Sequence, residues 1–157
     1  MKIIFRKKSG KPHAMQCLRD DAGADQTWQR SDDFYVFHDL LHYAVETSLH
    51  LESGFFGMLK SGISIHDFEG PRDQRPKLTR DAVLAETLAG VFQHEFAPGQ
   101  APFEDFNEVW SHGLALMGVT DQPPLSDAQI AALRTTIRNL LNRWKNTPVD
   151  GALELEF

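Results

Sequence analysis

The sequence is poor in cysteine. Cys17 stands alone among 157 residues, so neither an intrachain disulfide nor a thiolate zinc cluster can form. Long apolar runs are missing too, and nothing approaches the roughly eighteen consecutive apolar residues of a membrane-spanning helix. The opening stretch "MKIIFRKKSGK" lacks the apolar segment of a secretory signal. These absences point to a cytoplasmic protein with no membrane partner. There is no G-x-G-x-x-G, no Walker loop and no G-x-S-x-G elbow, so nothing supports nucleotide-dependent chemistry or serine hydrolysis. A formal charge of −6 argues against a nucleic-acid partner. Positive charge gathers only at Lys2, Arg6, Lys7, Lys8 and Lys11, and again at Arg134, Arg138, Arg143 and Lys145. Both groups read as solvated surface, and the first also protects a strand edge from pairing.

What is present suits one α+β domain over residues 1–157. The chain is long enough to bury a core without staples, and eleven phenylalanines supply much of it. "KIIFRKK", "HAMQCLRD" and "QTWQR", separated by "SGKP" and "DAGAD", read as a small antiparallel meander. Cys17 falls in the second of these strands as a packing residue. The tail "ALELEF" alternates apolar and acidic residues and can join the same sheet.

Between these ends the pattern is helical. Asp32 or Asp33 caps a helix that runs to about Leu49. A short helix in "GFFGMLKS" follows Ser53, and "HDFEGPRDQRPK" is a loop by its Pro, Gly and charge content. Thr79 caps "RDAVLAETLAGVFQHEF", and "FEDFNEVWSHGLALMG" forms a fourth helix. Ser126 and Gln129 form a capping box for the last helix, whose apolar stripe is Ile130, Leu133, Ile137, Leu140, Leu141 and Trp144.

The chemistry centres on "FHDLLHYAVE" in the first long helix. Taking about 100° per residue, His42 lies about 40° from His38, Glu46 about 80° and Asp39 about 100°. The apolar residues of this helix occupy the other side, so both histidines border the buried face and the acids fall just outside it. Histidines four apart can reach one ion from a single helix. Glu86, on the third helix, has Ala82, Ala89 and Gly90 on its own face, which would let another helix approach closely. A carboxylate in such a contact needs a partner. Two histidines holding a divalent cation would serve, and so would a salt bridge to Arg80 or Arg134. His94, two turns on, is a spare ligand, while His50, His66 and His112 have no spacing that recommends them. Phe55 and Phe56, beside Met58, read as core or as a pocket wall.

"HDLLH" followed by "AETLAGVF" on the next long helix resembles the active-site layout of small zincin metallopeptidases. There H-E-x-x-H supplies two zinc ligands and a general base, and a glutamate from a later helix supplies the third ligand. The resemblance covers two helices and implies His38, His42 and Glu86 as ligands, with Asp39 in the base position where the family has glutamate. H-D-x-x-H also resembles a zinc motif of a coenzyme Q biosynthesis protein, but that motif expects a glutamate where this chain has Gly54. The reading is a site for Zn2+ or another divalent transition metal at His38, His42 and Glu86, with Glu46 as the reserve ligand. If catalytic, it hydrolyses an amide or ester in a small-molecule or peptide substrate. The alternative is a metal-free interaction domain in which these groups form a hydrogen-bonded network.

Overall fold

The computed structural model describes residues 1–9, 12–20, 26–30, 32–71 and 73–157, with backbone alone for 26–30. The expected loop "DAGAD" and the middle of "SGKP" lie outside the described residues. Strands β1 (Lys2–Arg6), β2 (His13–Leu18), β3 (Gln26–Arg30) and β4 (Ala152–Glu156) form one antiparallel sheet in the order β3-β2-β1-β4. Phe5 stands opposite Met15 and Leu153, and Ile3 opposite Cys17 and Leu155. All six are buried, because period-2 alternation sends them to one face, while Glu154 and Glu156 of β4 stay wet. The expected strand tail does complete the sheet.

Five helices follow β3: α1 (Asp33–Leu49), α2 (Phe55–Lys60), α3 (Arg80–Glu95), α4 (Phe106–Leu116) and α5 (Asp127–Asn146). Asp32 caps α1 through Phe34 N and Tyr35 N, Thr79 caps α3, and the Ser126–Gln129 box opens α5 as its sequence announces. One local expectation is refined and one changes. The short helix after Ser53 is capped by Gly54 and begins at Phe55, and "HDFE", read as loop, contributes to a turn of 3-10 helix at Ile65–Phe68, closed by a Ser64–Asp67 capping box.

Helix α1 lies at the centre, packed against α3, α5, α2 and the sheet. That placement corrects the helical-wheel reading. Asp39 and Glu46, expected just outside the buried face, are only 2% and 1% exposed, whereas Phe34 is 53% exposed. A helix covered on several sides buries polar positions as well as its apolar stripe, and each such position then requires a partner.

Three polar clips hold the site-bearing helices. His13, unremarked in the sequence, takes Lys8 N–H on Nδ1 and donates from Nε2 to Asp33, whose carboxylate also accepts from Trp144 Nε1. This joins the sheet, the start of α1 and α5. Asp81 accepts from both the N–H and the hydroxyl of Ser53, tying the loop before α2 to the first turn of α3. Arg134 of α5 grips buried Glu95 at the end of α3 with two bonds of 2.9 and 2.7 Å.

Candidate metal centre

His38 and His42 project from successive turns of α1, and their rings sit edge to face with centroids 4.7 Å apart. Glu86 reaches them from α3. Its Oε2 lies 3.1 Å from His42 Nε2 and 3.9 Å from His38 Nε2. One ligand atom from each of the three residues falls within 4.8 Å of the others, a group that could hold a metal ion. Metal bonds of about 2.1 Å at tetrahedral angles place ligand atoms about 3.4 Å apart, so the two measured edges need only a few tenths of an ångström of adjustment.

The other nitrogen of each ring is already engaged. His38 Nδ1 donates to Gln93 Oε1 at 3.0 Å, and His42 Nδ1 donates to Glu46 Oε1 at 3.3 Å. Nδ1 protons held by acceptors leave Nε2 as the coordinating nitrogen, which is how metal-binding histidines are usually oriented. Glu46 is fixed in turn by Phe56 N–H at 2.9 Å. Glu46, the reserve ligand, thus faces the far nitrogen of His42 and lies outside the three-residue group.

Gly54 explains how Glu46 fits. A Cβ at position 54 would run into the Glu46 carboxylate, so the absence of a side chain there makes the room. The buried carboxylate then satisfies a first-turn N–H of α2, whose Gly54 cap offers no side-chain acceptor.

Electrostatics divides the two histidines. Burial works against charge on His42, but hydrogen bonds to Glu46 and Glu86, with their charges, outweigh it and lift the imidazole to about 9. His38 is pushed below its ordinary value by burial and then by the neighbouring His42 cation; Glu86, Gln93 and Asp39 offset this incompletely. The hydrogen bond from His42 holds the Glu86 carboxyl below its usual range. Without a metal, His42 is therefore an imidazolium between two carboxylates, and a cation at Nε2 would replace one proton.

Of the two kinds of partner expected for Glu86, the structure supplies the histidines. Arg80 pairs with Asp121 and Arg134 with Glu95, so the histidines are its charge partners, not either arginine. Its side chain is nevertheless 52% exposed, at the rim of the α1–α3 contact instead of within it. Ala82, Ala85 and Ala89 are buried at that contact, but a Cβ on Gly90 would meet open space, so packing does not require that glycine. His94 stacks on Phe103, and His66 pairs with Glu69. Neither joins the group.

A cleft of about 310 Å³ opens beside the three residues, and Asp39 lies on its wall. Phe55 and Met58 line it as well, while Phe56 is fully buried in the core. Sequence reasoning missed Gln93 and the true place of Glu46. The available signals were the seven-residue spacing of Glu86 and Gln93, which puts both on one face of α3, and the Asp39–His42–Glu46 stripe. No helix among the described residues is long and apolar enough to cross a membrane. Comparison with protein-family models, curated sequences and solved structures gave no match to the chain.

Proposed function

We propose that His38, His42 and Glu86 bind a divalent transition metal, zinc first, and that the centre hydrolyses an amide or ester. The observation that carries the metal reading is the double anchoring of the rings. Gln93 and Glu46 hold both Nδ1 atoms, and both Nε2 atoms converge on one carboxylate oxygen. Two imidazoles and a carboxylate are a donor set that suits zinc, and three protein ligands with a fourth position open are the pattern of catalytic zinc sites.

The cleft supplies that fourth side. Held by His38, His42 and Glu86, a zinc ion would supply carbonyl polarisation and lower the pKa of bound water to near 7. The residues do the rest. Asp39, on the cleft wall, would accept the proton of a water whose oxygen bonds to the carbonyl carbon, and would pass it to the amine or alkoxide when the acyl C–N or C–O bond breaks. This is the role that the zincin resemblance assigns to a glutamate. Asp39→Asn should therefore keep the metal and lose turnover.

The first test is elemental analysis of protein purified without a histidine tag, then reconstituted with zinc. The expected result is close to one equivalent; less than about a tenth would sink the metal reading. A second reading, a metal-free interaction domain, is favoured by one feature. Imidazolium His42 bonds both Glu46 and Glu86 without a metal, and among the described residues no buried side-chain polar atom lacks a partner. That reading gains if His38→Ala and His42→Ala change stability while wild-type protein holds no metal.

A further inference from the structure

The walls of the cleft beside the metal ligands say what kind of substrate could enter. Apart from Asp39 and the ligands, it is bounded by Tyr35, Phe55, Met58, Phe68, Leu78 and Ala82. Phe55 stands edge-on to the His42 ring, with centroids 5.9 Å apart, and to Phe68 at 5.2 Å, so one aromatic wall begins at the ligand itself. Met58 and Ala82 form buried floor, at 3% and 5% exposure. Leu78 and Tyr35 remain 42% and 44% exposed at the rim. Large apolar side chains left open to water around a concave site mark a place where an apolar ligand would be covered.

Size narrows the choice. A cavity of about 150 Å³ holds a benzene molecule, so this cleft has room for one aromatic ring and a metal-binding head group. Charge narrows it further, because two acidic residues, half-exposed Glu86 and buried Asp39, line the space and disfavour an anionic substituent.

We propose that the site takes an uncharged amide or ester whose carbonyl carries a single compact apolar group, an aryl or branched alkyl, seated between Phe55 and Leu78. This inference rests on the metal reading above, since the carbonyl is anchored at the ion. Its distinguishing prediction concerns the group beside that anchor. A peptide with an acidic side chain at this position would be excluded.

The test uses zinc-reconstituted full-length protein and two hydroxamates with the same chelating head, benzohydroxamic and acetohydroxamic acid, titrated by calorimetry. Zinc content is measured on the same samples, and free zinc in buffer supplies the intrinsic affinity of each head group. Benzohydroxamate should bind at least about tenfold more tightly than acetohydroxamate after that correction. Leu78→Asp, a rim substitution that leaves the ligands and core untouched, should erase most of the preference at unchanged zinc content. Equal affinities at full zinc occupancy would overturn the substrate class and leave the metal reading intact. A protein that takes up no zinc would overturn both, because the ring then has no anchored head group beside it.

Discussion

At the scale of single residues, Glu46 decides whether His42 is a ligand or only a buried cation. Its carboxylate holds the Nδ1 proton and is itself held by Phe56 N–H. Removing such an outer partner from a metal-binding histidine typically weakens metal affinity about 10- to 100-fold. Glu46→Gln keeps an acceptor for Phe56 but loses the charge, so zinc affinity measured against a chromophoric chelator should fall within that range. Unchanged affinity would show that the bond does not orient the ring for a metal. Gln93→Ala should produce a smaller loss through His38, whose ring is partly exposed and less constrained. The sequence made His38, His42 and Glu86 visible because i, i+4 spacing and a carboxylate among small residues are local patterns. Glu46 was misplaced because a wheel ranks faces by apolar content. It cannot know that α2 folds back over the polar side of α1.

The junction of α1 and α2 shows what can and cannot be read at the level of elements. Caps, capping boxes and the amphipathic stripe of α5 depend on neighbours a few residues away, and those were legible. The role of Gly54 depends on Glu46, eight positions earlier, and on the left-handed turn at His50 (φ 54°) that brings the two together. Gly54→Ala would press a methyl group into a buried carboxylate. Overpacking of this kind costs roughly 1–3 kcal/mol, and zinc affinity should fall with it because Glu46 must move. In a double-mutant cycle, Glu46→Ala relieves the collision, so the combined loss should be clearly less than the sum of the two. Additive losses in urea unfolding would place the cause elsewhere. The α3–α5 clip makes a separate case. Arg134→Met strands the Glu95 carboxylate, whose side chain is 1% exposed, with only Phe103 N–H left to it among the described residues. Breaking a pair of this kind costs roughly 3 kcal/mol, readable as a lower urea midpoint.

Across the whole molecule, a proton and a metal held at the proposed centre would compete for the same nitrogen, so stability should respond to pH in opposite ways with and without zinc. In metal-free protein His42 sits at about 9, above its unfolded value of about 6.5. Its contribution to folding is therefore complete below about 6.5 and is lost as pH rises through about 9. His38 has the opposite sign. Its folded value is depressed, so the unfolded chain binds the extra proton first, and stability falls as pH drops below about 6.5. Together the two histidines give the metal-free protein a stability maximum near the ordinary histidine value. Zinc at the proposed centre would reverse the alkaline limb. Bound there, it would displace the His42 Nε2 proton, so its affinity would grow as pH rises through the same window, and a saturating ligand stabilises by about 2.7 kcal/mol at one hundred times its Kd. Thermal melts of metal-free and zinc-loaded protein from pH 5.5 to pH 9 should therefore diverge steadily toward high pH. His42→Gln should flatten the alkaline limb of the metal-free curve and abolish the zinc increment. Parallel curves for the two forms of the wild type would mean that zinc binds away from His42, and the centre built on α1 and α3 would have to be abandoned.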